Sequence, residues 1–277
     1  MLLRLGTRGS RLALTQAELA AARLRRPGTE VALIPITTTG DRDRTTPFAE
    51  MGARGIFVKE LEEALLTGRI DVAVHSAKDL TSTPTPGLSI SAYLAREDPR
   101  DALCGASELR PGMRVGTSSA RRRAQLLALE PELRVEPLRG NVDTRLRRRG
   151  ERGLDAVVLA ACALDRLGLA GEVGRRFDLG ELLPEAGQGA LALQVRAGEE
   201  QLASRADDPA TRDRVEAERA CTAAIGGGCL SPAAAHHDGA VLEALVADED
   251  GRWVVRRRGS DAAALGRELA ALARAQE

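Results

Sequence analysis

The sequence predicts an α/β protein made of two similar α/β lobes and a smaller C-terminal α+β domain. Three observations carry this. Short apolar segments of strand length alternate with longer, helix-like segments through the first two thirds of the chain. The pattern breaks at REDPRD (96–101), LLPEAGQG (182–189) and DDPAT (207–211), and a second set of strands and helices follows the first break. Beyond residue 207 the character shifts to a hairpin and an alanine-rich helix. A chain of 277 residues also exceeds the usual size of one domain.

The elements follow in order. Residues 2–5 read as a strand, TRGS as a turn, and the segment with Leu12, Leu19 and Leu24 among alanines as a helix. VALIPITTT (31–39) reads as a buried strand, FVKELEEALL (57–66) as an amphipathic helix ended by Gly68, and IDVAVHS (70–76) as a strand. Between them, TGDRDRTTPFAEMGARG (39–55) is long, polar and without period, which suits a lid over a site or a disordered segment. In the second set, 113–117 is a strand, 119–130 a helix, 133–138 a strand, VDTRLRRRG a helix and 154–160 a strand. A hairpin turning at Asp250–Gly251 and a helix over 261–275 complete the chain.

Composition narrows the function. Hydrophobic residues at 43% and charged residues at 29% are ordinary for a globular protein and argue against long disorder. The N-terminal MLLRLGTRGSRLALTQ lacks the apolar run of a signal peptide, and no stretch approaches the ~20 apolar residues of a membrane span. The expectation is a cytoplasmic protein with reduced thiols. Cysteines at 104, 162, 221 and 229, with three histidines, match no zinc spacing, so no metal is expected. Net charge is zero, yet of 40 basic residues only Lys59 and Lys78 are lysine. Sites that need a compact ammonium would retain lysine, although either one alone reads equally well as a solvated residue.

Four constellations could carry chemistry. In VHSAKDL a strand ends and delivers Ser76, Lys78 and Asp79 beyond its carboxyl end, where parallel α/β sheets bind ligands. Asp79 alone would serve equally as a helix N-cap, and His75 reads as a packing or hydrogen-bonding residue. In VGTSSARRR a strand gives way to Thr117, Ser118 and Ser119 and a helix that opens with three arginines. Basic residues there oppose the helix dipole, which makes sense if an anion is bound among them. PLRGNVDTRLRRRGERG repeats the arrangement with Arg139 and Arg145. From Arg110 to Arg152 twelve arginines face five acids, a surplus suited to carboxylates or phosphates. Nucleic acid is the rival partner, but aromatics at 2% leave almost no stacking platforms. In AIGGGCLSP three glycines precede Cys229, leaving a loop thiol open to attachment or reaction, whereas Cys104, Cys162 and Cys221 lie in apolar surroundings.

Taken in order, TRGSRLALTQ, GIFVKELEEAL, VHSAKDL, GTSSARRRAQL, LRGNVDTRL, PEAGQGALALQ and GGGCLSP resemble the motifs of the porphobilinogen deaminase family over roughly residues 4–232. The resemblance implies two lobes like periplasmic binding proteins joined by two crossings, the second at Gln188–Gly189. The domains would be 1–95 with 189–206, 96–188, and 207–277 carrying the cofactor cysteine. It implies a monomer that joins four porphobilinogen units head to tail, releases ammonia and yields hydroxymethylbilane. The primer would be a dipyrromethane held by a thioether to Cys229.

The pyrroles of that family carry acetate and propionate groups, which would account for the arginines. By resemblance Lys78, Ser118, Arg121, Arg122 and Asp79 contact the cofactor, while Arg8, Ser10, Arg139, Arg145, Arg166 and Gln188 bind substrate. Asp79 is the catalytic acid, stabilising the cationic azafulvene-like species left when ammonia departs. The chain departs from the family pattern at TSTPTPG after HSAKDL, at LSP after Cys229, and at Arg54, where lysine is usual. A two-lobed anion-binding protein without chemistry is the alternative, opposed by the pairing of Asp79 with Cys229.

Overall fold

Residues 1–38, 58–81, 83–226 and 232–276 are described in a computed structural model, and they form three sheets. The suspected lid at 39–55, with Arg54, and the cysteine at 229 lie outside the described residues. The chain divides into two compact units, Met1–Glu97 with Ala190–Asp213, and Asp98–Gly189 with Arg214–Glu277.

In the first unit β1 (Leu2–Arg8), α1 (Arg11–Leu24), β2 (Glu30–Ile36), α2 (Lys59–Leu66), β3 (Val72–Ser76) and β4 (Leu88–Tyr93) follow in order, and the returning chain adds β10 (Leu191–Arg196). The sheet order is β2-β1-β3-β10-β4, with β1 parallel to β2 and β3, and β10 antiparallel to β3 and β4. α1 is capped by Ser10, whose Oγ accepts from the Ala13 N–H at 3.2 Å. It buries Ala13, Ala17, Ala20, Ala21 and Leu24, while Leu19 stays exposed. The packing face is therefore an alanine stripe ended by Leu24, because small side chains let the helix lie close on Leu3, Leu5 and Val74. On the other face Leu61 and Leu65 of α2 pack with Ile36 and Ile70. β2 was expected to be buried. It is instead the edge strand, with Val31 to Ile34 only half covered.

The second unit holds β5 (Asp101–Cys104), β6 (Arg114–Gly116), α3 (Ala120–Leu129), β7 (Arg134–Glu136), α4 (Val142–Glu151), β8 (Ala156–Ala160), α5 (Ala161–Arg166) and β9 (Val173–Arg176), ordered β7-β6-β8-β5-β9. Helix α6 (Pro209–Ile225) runs across the boundary between the units. It is followed by the antiparallel meander β11 (Ala233–His237), β12 (Leu242–Ala247) and β13 (Val254–Gly259), and then by α7 (Ala262–Arg274). Leu265 and Leu269 of α7 pack on Cys221, Leu242 and Val246.

Within this unit the meander is docked on the α/β sheet. Leu183 packs with Ala234, Leu245 and Val254. Arg256 donates to the carbonyls of Gly180 (2.6 Å) and Glu181 (3.0 Å) and to Gln125 Oε1 (3.1 Å). Gly251, at the predicted hairpin turn, has φ +70° and sits so close to α3 that a Cβ would lie 2.3 Å from the Ala124 carbonyl. Only glycine fits both demands.

Candidate active site

The predicted residues fall on two faces, one in each unit. In the first, parallel β1 and β3 end at the same edge of the sheet, the edge beyond which parallel α/β sheets bind their ligands. Arg8 is the last residue of β1, and Ser10 follows as the cap of α1. β3 ends at Ser76 and runs into a 3₁₀ turn, Ala77–Asp79. Ala77 and Leu80 are buried, and the Ala77 N–H donates to Ala190 O at 3.0 Å. Those anchors leave Lys78 and Asp79 half-buried. Asp79 is the last residue of its turn, and 80–81 and 83–87 are not helical, so the N-cap reading is set aside. His75 is buried and donates through Nε2 to Gln194 Oε1 (3.0 Å), whose amide donates to Glu62 Oε1 (2.9 Å). Burial pushes its pKa down to about 4, so the ring is neutral at pH 7 and braces β3 against β10.

The second face is the start of α3. Thr117 Oγ1 accepts the Ser119 N–H (3.2 Å), and Ser119 caps the helix by accepting the Arg122 N–H at 3.3 Å. The next turn points inward, because Arg121 and Arg122 are only 3% and 5% exposed. Both grip Asp101, itself fully buried. Arg121 Nη2 donates to Oδ2 at 2.8 Å, and Arg122 donates to Oδ1 through Nη2 at 2.7 Å and Nε at 3.2 Å. Arg121 Nη1 and Arg122 Nη1 reach the carbonyls of Leu183 and Val158. Burial alone would raise the Asp101 pKa, but the two guanidiniums outweigh it and hold the carboxyl well below the usual carboxylate range. The anion that the sequence called for at this helix start is thus in the first place the protein's own. Two guanidiniums share that one carboxylate, with Glu185 acting on Arg122 through space. Arg121 Nε and Ser118 Oγ remain buried without a hydrogen-bond partner.

Other predicted residues are placed nearby in sequence and differently in space. Arg139 and Gly140 form the turn before α4, with Gly140 at φ +118°. Arg145 Nε donates to Gly140 O (2.7 Å) and Arg148 to Arg139 O (3.0 Å), so α4 holds the turn that presents Arg139. Arg166, at the end of α5, donates to Gly189 O at 2.8 Å. Gln188, expected at substrate, is fully buried, and its Nε2 donates to Pro99 O (2.7 Å) and Asp101 Oδ1 (2.8 Å). Its amide hydrogens are spent inside the second unit, on the Pro99 carbonyl and the carboxylate that the arginines share.

Sequence reasoning missed two acids. Asp101 lay in a predicted boundary, where the signal was an acid opening the apolar run DALC. Glu218 lies on α6 at helical spacing with Val215 and Cys221, all fully buried. The arginine surplus also shrinks on folding, since Asp101 takes two of the twelve and Asp250 pairs with Arg123 at 2.9 Å. Cys104, Cys162 and Cys221 are buried and outside any disulfide, and burial pushes the Cys104 and Cys221 thiols up to about 11. The segment with Cys229 leaves the end of α6 and enters β11. Among the described residues no group of three His, Cys, Asp or Glu side chains could hold a metal ion.

A family model described as porphobilinogen deaminase, dipyromethane cofactor binding domain, matches residues 3–204. A porphobilinogen deaminase of Acidithiobacillus ferrooxidans is 46% identical over 290 residues, covering 99% of this chain and 95% of that one. One of Syntrophotalea carbinolica is 46% identical over 268 residues, covering 92% and 85%. A periplasmic substrate-binding protein of an ABC transporter from Coxiella burnetii is similar with a TM-score of 0.44 at 17% identity, covering 76% of this chain and 94% of that one.

Proposed function

The chain belongs to the porphobilinogen deaminase family, a family of transferases that act on porphobilinogen with a dipyrromethane cofactor, and from that premise we propose how its residues divide the work. Cys229 carries the cofactor through a thioether. Ser118, Arg121, Arg122 and Lys78 hold its acetate and propionate groups. Arg8, Ser10, Arg139, Arg145 and Arg166 bind carboxylates of incoming substrate, and Gln188 supports them from behind. The observation that carries the reading is the start of α3. There a buried guanidinium nitrogen, Arg121 Nε, and a buried hydroxyl, Ser118 Oγ, have no partner in the protein, beside two arginines that share one carboxylate. Unmatched donors of that kind suit a carboxylate ligand, because a buried donor left unpaired costs stability that an anion would restore. The dipyrromethane, when bound, supplies the primer to which further pyrroles are added.

Asp79 acts at the other face. Its carboxylate stabilises the positive charge that develops on the substrate as ammonia leaves, and accepts hydrogen bonds from the pyrrole N–H groups while the α-carbon that forms the new bond gives up its proton. Lys78 beside it supplies the countercharge for a cofactor carboxylate. Four rounds, followed by attack of water on the bond between the new tetrapyrrole and the primer, would yield hydroxymethylbilane. We take the chain to work as a cytoplasmic monomer without nucleic acid or membrane partners. Its buried thiols, none of them in a disulfide among the described residues, and its scarcity of aromatic residues support this, and no helix among the described residues is long and apolar enough to cross a membrane.

Intact mass of the purified protein followed by peptide mapping tests the reading. An excess of two linked pyrroles on the Cys229 peptide is expected. The same mass on Cys104, Cys162 or Cys221, or no excess at all, would overturn it.

A further inference from the structure

Glu218 takes no part in the assignments above, yet it is a fully buried carboxylate. A buried carboxylate is tolerated only where donors replace the water it has lost. Here Oε2 accepts the Gly187 N–H at 2.7 Å and Oε1 accepts the His237 N–H at 2.8 Å, with His236 Nδ1 3.2 Å from Oε1. The three elements that meet are telling. α6, which bears Glu218, leads into the segment with Cys229, and β11, which ends at His237, leads out of it. Gly187 belongs to the turn 185–188, closed by the Gln188 N–H on Glu185 O at 2.9 Å, and its φ of +77° requires glycine. The next side chain, Gln188, donates to Asp101, which grips Arg121 and Arg122. An unbroken series of bonds inside the second unit therefore runs from Glu218 through Gly187 and Gln188 to Asp101 and the paired arginines.

We propose that Glu218 is a positioning residue that fixes the stems of the Cys229 segment relative to the Arg121–Arg122 pair, acting through the 185–188 turn. The proposal rests on the reading that Cys229 and these arginines hold one dipyrromethane. A short covalent tether can set its carboxylates against fixed donors only when attachment point and donors are held in one register. Small displacements of reacting groups are costly in rate. Glu218 supplies that register with one side chain that reaches both stems and the turn.

Glu218→Gln keeps the shape but offers a single acceptor oxygen and turns an NH2 toward a backbone N–H, so one of the two amide bonds must break. In the purified, cofactor-bearing protein, hydrogen exchange at the Gly187 or His237 amide should quicken. The fraction carrying the added mass should fall, and kcat of the loaded fraction should drop about 10-fold with KM nearly unchanged. Gln188→Met, which cuts the next link, should give the same kcat loss, and the double variant should be no worse than either single one. Glu216→Gln, exposed on the same helix, should match the parent. A lower melting temperature with parental loading and kcat in Glu218→Gln would overturn the proposal, as would additive losses in the double variant. If Glu218→Gln does not fold, Gln188→Met decides alone by its kcat and KM. Absence of added mass on Cys229 in the parent protein would instead defeat the functional reading, which separates the two failures.

Discussion

At the edge of the first sheet Arg8, Lys78 and Asp79 stand half-buried while Ala77 and Leu80 do the packing, whereas at the start of α3 Arg121 and Arg122 are themselves packed, locked on Asp101. The first arrangement separates chemistry from folding. The second merges them, since the same guanidiniums would hold a ligand and bridge β5, α3 and the Leu183 carbonyl. Substitutions at the first face should therefore change rates and spare the fold, and substitutions around the second should do both.

The sharpest way to break that contrast is Asp101→Asn. Removing the shared carboxylate leaves two buried guanidiniums without their countercharge, and the loss of one partner of a buried pair costs about 3–5 kcal/mol. Urea unfolding should show that loss, and an unchanged midpoint would mean the arginines are not structural.

Acid should separate the units next. His75 is neutral in the fold, with its pKa lowered from 6.5 to about 4, so between those values the unfolded chain binds a proton that the folded chain refuses. Stability should fall across that window by about 3 kcal/mol, and His75→Gln should flatten the slope. Asp101 is depressed from 3.8, so its contribution is complete above that value and is lost only as the pH falls further. Hydrogen exchange through an acid titration should thus show the first unit loosening before the second.

Asp79→Asn keeps size and hydrogen-bonding capacity. Ammonia release should slow at least ~100-fold, the lower range for losing one electrostatic or acid–base group. The melting temperature should hold, as expected for a half-buried side chain whose neighbours do the packing. Turnover at the parental rate would remove Asp79 from the chemistry. The smallest effect is expected from Arg8→Leu, which removes one charge-assisted contact worth ~1.5–3 kcal/mol. KM should rise with the fold intact, and a fall in stability comparable to that of Asp101→Asn would erase the contrast.

Most of the architecture was legible because its signals are local. The helix after TRGS, the helix from 119, the hairpin at Asp250–Gly251 and the strands within 70–76 and 154–160 all form, the first two capped by Ser10 and Ser119. β4, β5, β9, β10 and β11 were not read as strands, nor α5 and α6 as helices. Runs such as DALC and VGRR are too short for periodicity to speak, and in α6 the apolar positions Val215 and Cys221 are sparse among charged residues. β2 looked interior because its residues are apolar, but apolar character does not say which strand ends a sheet.

By itself the sequence determined the α/β layering, the motif order that places the chain in its family, and the placing of Asp79 and the arginines after strand ends. These follow from periodicity, capping and strand–turn–helix order, which act over a few residues. Only the tertiary structure decided that Asp101, twenty residues before Arg121, supplies the first countercharge, that Gln188 faces inward, and that Glu218 joins α6, β11 and the 185–188 turn. The physical reason is that a side chain's burial, and the partner that makes burial tolerable, depend on segments brought together from far along the chain, and no local pattern carries that information.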